Sequence, residues 1–112
     1  MKLRLQPNSV RLRLSEAEVA QLAQSGRLSE RVSFPGTDGG TLVYEILVDA
    51  EVVEIAASFT NGCITVKVPK ASAEDWARSG DVTLSSGRAA NGDYAFIAII
   101  EKDLARRRPE RK

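Results

Sequence analysis

Lys2, Arg4, Arg11 and Arg13 alternate with Leu3, Leu5, Val10, Leu12 and Leu14 near the start of the chain. A period of two places these four cations on one face of their strands. Such a face suits oxyanions, because guanidinium and ammonium groups donate charge-assisted hydrogen bonds. Glu45, Glu54, Lys67 and Glu101 fall on polar faces of later strands. If those strands enclosed a tunnel, Arg4, Arg11, Arg13 and Lys67 would be anion contacts, and Glu45, Glu54 and Glu101 would hold a divalent metal. That arrangement is the chemistry of triphosphate-hydrolysing tunnels. The competing reading is a solvated sheet face with cross-strand ion pairs. The second is favoured, since charged side chains are rarely enclosed and most strands lack the dense alternation of acids and bases that a tunnel needs.

Other chemistry finds little support. The chain contains no histidine, the usual acid–base group near neutral pH and the commonest metal ligand. Its one cysteine, Cys63, excludes an internal disulfide and a thiolate metal cluster. Without histidine, activation of that thiol would fall to Lys67 or an arginine, and a passive thiol is the simpler reading. Ser15 and Ser72 read as helix caps, and no Gly-x-Ser-x-Gly stretch is present. The loops Asp38-Gly39-Gly40 and Asn91-Gly92-Asp93 lack the spacing of a phosphate or calcium loop. Trp76 reads as core. No catalytic residue, metal site or cofactor is assigned.

The elements that must position these residues are strands and two short helices. Pro7-Asn8 either turns the chain between two N-terminal stretches or bends a single strand. Ser15 followed by Glu18 forms a capping box, with Leu14 and Val19 placed as a hydrophobic staple. Val19, Leu22 and Ala23 supply the apolar stripe, and Gly26 the left-handed stop. Strands are expected over residues 27–34, 41–48, 52–59 and 63–68. Asn61-Gly62 between the last two is a type I′ hairpin signal. A second helix is expected from Ser72 to Gly80, then strands over 81–85 and 94–100, with a turn at Asn91-Gly92. The run 94–100 is so apolar that both faces are expected to be buried. No internal repeat is evident. The expected fold is α+β: an antiparallel β-meander of about six to eight strands, an open curved sheet or partial barrel, with two short helices.

The whole chain has 112 residues, 43% hydrophobic and 28% charged, which fits one domain over residues 1–104 and a basic, disordered tail over 105–112. The net charge of +1 is unevenly laid out. Residues 1–31 hold six basic and three acidic side chains, residues 32–104 five and eleven, and residues 105–112 five and one. Basic ends around an acidic middle favour self-association or an anionic partner. The tail offers salt-sensitive attraction to nucleic acid but no aromatic residue for stacking. No apolar run matches a membrane span or a secretory signal, and the lone cysteine suits a reducing compartment, so the expected location is cytoplasmic.

Two resemblances add to this. The opening MKLRLQPNSVRLRLSEAEVAQLAQSGR resembles that of a family of short uncharacterised bacterial proteins with an Asn-Ser-Val/Ile-Arg-Leu-Arg-Leu motif. The match extends to Ala73-Glu74-Asp75-Trp76-Ala77 and to the closing Glu101-Lys102-Asp103. It implies bacterial origin and no assigned activity. Residues 62–84 also resemble the swapped-hairpin DNA-binding domains of transition-state regulators and antitoxins, which dimerise by exchanging strands. There Lys67, Lys70 and Arg78 are balanced by Glu74, Asp75 and Asp81, a poor match to a phosphate backbone.

The leading expectation is a non-enzymatic module that forms a homodimer or binds a protein partner. A binder or hydrolase of phosphorylated small molecules and a DNA-binding regulator are the alternatives. The first helix gives an immediate test: Ser15→Ala should cost about 1 kcal/mol in chemical denaturation, through loss of the cap.

Overall fold

The computed structural model describes residues 1–36, 39–86 and 96–103. Among them are eight strands and two helices: β1 (Lys2–Gln6), β2 (Ser9–Leu14), α1 (Glu16–Ser25), β3 (Arg27–Ser33), β4 (Thr41–Asp49), β5 (Ala56–Thr60), β6 (Cys63–Pro69), α2 (Lys70–Arg78), β7 (Thr83–Ser85) and β8 (Ile97–Lys102). The α+β class and the two helices stand, but the single antiparallel meander does not. There are two four-stranded sheets, ordered β1-β2-β8-β7 and β3-β4-β6-β5. Each is made of two antiparallel hairpins joined at their inner strands, and those inner pairs, β2–β8 and β4–β6, are parallel. The sheets are therefore mixed, and no barrel closes among the described residues.

The arrangement exposes a repeat that the sequence reading missed. The register Leu3↔Leu12 in β1–β2 recurs as Ala57↔Val66 in β5–β6, so residue n corresponds to n + 54. The same offset takes α1 onto α2, Ser25-Gly26 onto Ser79-Gly80, and Ile46 of β4 onto Ile100 of β8. Only β3 and β7 depart, by two further residues: Leu28 faces Ile46 as Leu84 faces Ile100. The chain is two ββαββ units related by a pseudo-two-fold axis. Each unit gives its first hairpin to one sheet and its second hairpin to the other. The hairpins of the two halves therefore interleave in both sheets.

One core holds both sheets together. Leu12, Leu14, Ile46, Val66, Val68 and Ile100 are fully buried within it. The pairs Leu12/Val66, Leu14/Val68 and Ile46/Ile100 are repeat mates, so the core is the part of the pattern that both units share. β8 alternates half-buried and buried residues from Ile97 to Ile100, so its apolar part is not enclosed on both faces as its composition suggested; Glu101 beyond it is buried as well.

Local signals account for the hairpins and the first helix. Pro7 and Asn8 form a turn, not a bend within one strand. Asn61 and Gly62 have φ of 52° and 76°, the positive values that a type I′ turn requires. The Ser15–Glu18 capping box is fully formed, and Gly26 closes α1 in the left-handed conformation. Three boundaries shift. Residues 52–55 are not strand: the Asp49 carboxylate accepts the Glu51 N–H at 2.8 Å, which turns the chain before β5 begins. Helix α2 starts at Lys70 with Pro69 at the N-cap position, so Ser72 is not a cap. Ala73 and Trp76 are buried on α2, at the positions that Val19 and Leu22 hold on α1. β7 is confined to residues 83–85. The expected turn at Asn91-Gly92 and the tail from residue 105 lie outside the described residues.

Removing buried methyl groups at the shared centre should be costly. Leu12→Ala is expected to lower unfolding free energy by about 3 kcal/mol, measured by denaturant titration.

Candidate functional site

The register decides which charges meet. Lys2 is the cross-strand partner of Arg13, and Arg4 of Arg11, so all four lie on the outer face of the first sheet. Parallel pairing then brings Glu101 of β8 beside Arg13. Glu101 Oε1 accepts from Arg11 Nη1 at 3.1 Å, and Oε2 from Arg13 Nε at 2.9 Å. The Glu101 side chain is 10% exposed while those of Arg11 and Arg13 are 39% and 41% exposed. The carboxylate thus sits under two guanidiniums that reach toward solvent. Lys2, Leu3, Arg4, Arg11 and Arg13 border a hollow of about 170 Å³ on this face.

Lys67 does not join them. It lies on the outer face of the second sheet, where the repeat places it at the position equivalent to Arg13. Glu45 belongs to that second face too. It accepts hydrogen bonds from Thr65 Oγ1 at 3.0 Å, Cys63 Sγ at 3.5 Å and Arg27 Nη2 at 3.3 Å. Glu54 is exposed in the turn before β5. The three carboxylates considered as a metal set are thus spread over two sheets and a loop. Among the described residues no group of three Cys, Asp or Glu side chains is placed to hold a metal. The cysteine thiol is tied to Glu45, and Trp76 is core, its Nε1 donating to the Val82 carbonyl at 3.1 Å.

A second feature was not singled out by the sequence. Leu5, Val10, Leu42, Ala57, Ser58, Phe59, Ile64 and Phe96 line an apolar groove of about 410 Å³. Leu5/Phe59, Val10/Ile64 and Leu42/Phe96 are repeat mates, so the groove lies on the pseudo-two-fold axis. Its walls come from the starts of β2, β4 and β6 and the ends of β1 and β5, the opposite end from the helices. Phe59, Leu5 and Phe96 are 67%, 54% and 49% exposed there, an apolar surface of the kind that marks a binding site. Only knowledge of the repeat would have grouped these residues in the sequence.

The ammonium of Met1 pairs with Glu18 and lies 3.7 Å from Glu30. Burial works to raise the Glu18 pKa, but hydrogen bonds from the ammonium and Ser15, with the ammonium charge, outweigh it and hold the carboxyl below its ordinary 4.5. Tyr44, whose hydroxyl donates to the Met1 carbonyl at 3.3 Å, is shifted upward by burial and by the charges of Glu30 and Glu18.

Fold and surface together define a two-unit α+β protein of interleaved hairpins, with a cationic hollow on one sheet and an apolar groove at one end. The chain belongs to the family of unknown function DUF7009, whose family model matches residues 1–111. A family without assigned activity is what the N-terminal resemblance implies. No curated protein and no solved structure matches the chain. Among the described residues no helix is long and apolar enough to cross a membrane.

The Glu18 shift fixes the sign of an acid effect. Its folded pKa is depressed, so its contribution to stability is complete above about pH 4.5 and is lost as pH falls through the folded value. Glu18→Gln should flatten the acid limb of a stability-versus-pH curve and leave the slope near neutrality unchanged.

Proposed function

We propose that the protein is a non-enzymatic binding module that acts as a homodimer, two copies joining through β5. The observation that carries this reading is the chemistry of the four sheet edges. An open edge is a template for pairing, and proteins guard edges with charge or shortness. Strand β1 carries Lys2 and Arg4, β3 carries Arg27, Glu30 and Arg31, and β7 has three residues. Strand β5, Ala-Ala-Ser-Phe-Thr, has neither protection. It is the repeat mate of β1, so its lack of charge is not imposed by the fold.

A second copy suits this edge because antiparallel pairing about a two-fold axis at Ser58 sets Ala57 against Phe59 of the other copy. Such an interface is self-complementary, as a closed dimer requires. It extends the second sheet to eight strands, covers exposed Phe59 and joins the two apolar grooves. The absence of histidine from the whole chain supports binding over acid–base catalysis near neutral pH.

Sedimentation equilibrium tests the proposal. The intact protein is expected at twice its chain mass in the micromolar range. Ser58→Lys, at an exposed position, sets two like charges opposite each other and should yield a folded monomer. A monomer at millimolar concentration, or a dimer indifferent to Ser58→Lys, would contradict it.

A further inference from the structure

We propose that the hollow bordered by Lys2, Arg4, Arg11 and Arg13 is an anion site that takes the phosphoryl group of a small phosphorylated compound. This does not depend on the β5 dimer, which uses the other sheet.

Three observations carry it. The first is convergence: two cross-strand pairs, Lys2↔Arg13 and Arg4↔Arg11, set four cationic side chains around one hollow of about 170 Å³. That volume accommodates a phosphate or diphosphate group and leaves the rest of a ligand over the open sheet. The second is preorganisation. Glu101, nine-tenths buried, holds Arg11 through one oxygen and Arg13 through the other. A guanidinium has five N–H donors. The bonds to Glu101 take one from Arg11 and two from Arg13, so each keeps donors for an incoming anion. Among the described residues Lys2 and Arg4 make no ion pair, although Lys2 and Arg13 also border a neighbouring hollow with Glu18 and Asp103.

The third is divergence between the units. At n + 54 the mates of Lys2, Arg4 and Arg11 are Ala56, Ser58 and Thr65, and only Arg13 keeps a cation, as Lys67. The mate of Glu101 is Leu47. The inward mates stay apolar throughout: Val10/Ile64, Leu12/Val66 and Leu14/Val68. The fold therefore demands the buried half of this pattern and leaves the outer half free. The cationic set with its buried carboxylate is peculiar to one sheet, and a structural requirement does not explain it.

A compact quadrilateral favours a phosphoryl group over a nucleic-acid backbone, which needs a longer row of cations. Isothermal titration of the full chain with inorganic pyrophosphate is the test. Saturable binding of one pyrophosphate per chain is expected, weakened about tenfold or more by Arg4→Gln or Lys2→Gln, which break no ion pair in the fold. Lys67→Gln on the other sheet, and Arg106→Gln with Arg108→Gln in the C-terminal basic run, should leave it unchanged. The proposal is overturned by no saturable binding at millimolar pyrophosphate, or by equal losses in the Lys67 or C-terminal variants. It is overturned equally if duplex DNA binds through Arg4 and pyrophosphate does not compete.

Discussion

The parallel pairing of β2 with β8 and of β4 with β6 is the constraint from which the rest follows. Hairpins form from neighbouring residues, but β2–β8 closes a long stretch of chain: Arg13 and Glu101 are 88 residues apart, while β4 and β6 pair across the shorter span that holds β5. Closing such a loop costs conformational entropy before any contact forms, though the cost rises only slowly with length. What offsets it is the burial of Leu12, Ile46, Val66 and Ile100, all inaccessible to solvent. Each such side chain contributes roughly 1.5–3 kcal/mol on removal from water. Neither half could bury its inner faces alone, because each unit divides its hairpins between the two sheets.

This division sets where function can sit. Inner faces are committed to the shared core, so the free surfaces are the outer sheet faces, the edges and the two ends of the stack. The helices cover one end, packing on each other and on β2, β3, β4, β6 and β7. The other end is left as the apolar groove on the axis. The two units then differ where the core does not constrain them. One outer face is cationic around Glu101, while the other is built around Glu45 with a hydroxyl and a thiol. Edge strand β1 is charged and its mate β5 is not. The two units thus share one core pattern and carry unlike outer surfaces.

Much of the local structure was legible in the sequence. Ser15, Glu18 and Gly26 define α1 by their hydrogen bonding and backbone geometry, and Asn61-Gly62 defines its hairpin. Those signals work because cause and consequence lie within a few residues. The alternation of Lys2, Arg4, Arg11 and Arg13 likewise revealed that they share a face. The parallel pairs were not legible, since nothing in Val10–Leu14 names a partner near the C-terminus, and short loops argue for a meander. The repeat escaped for a related reason. What the units share is a pattern of burial, and few identities beyond Ser-Gly after each helix reveal it. Period and charge group Lys67 with the arginines because they do not say which sheet a strand joins. Residues 52–55 read as strand by composition, yet Val53 is among the most exposed apolar residues, because the Asp49 turn governs the backbone there.

The strand order can be read directly in solution from interstrand nuclear Overhauser effects. The account requires amide-to-α-proton contacts joining Val10–Leu14 to Ala98–Lys102 in parallel register, with a matching set between Tyr44–Val48 and Ile64–Val68. Contacts confined to chain-neighbouring antiparallel strands, with β2 and β8 apart, would contradict it, and with it the meeting of Arg11 and Arg13 with Glu101.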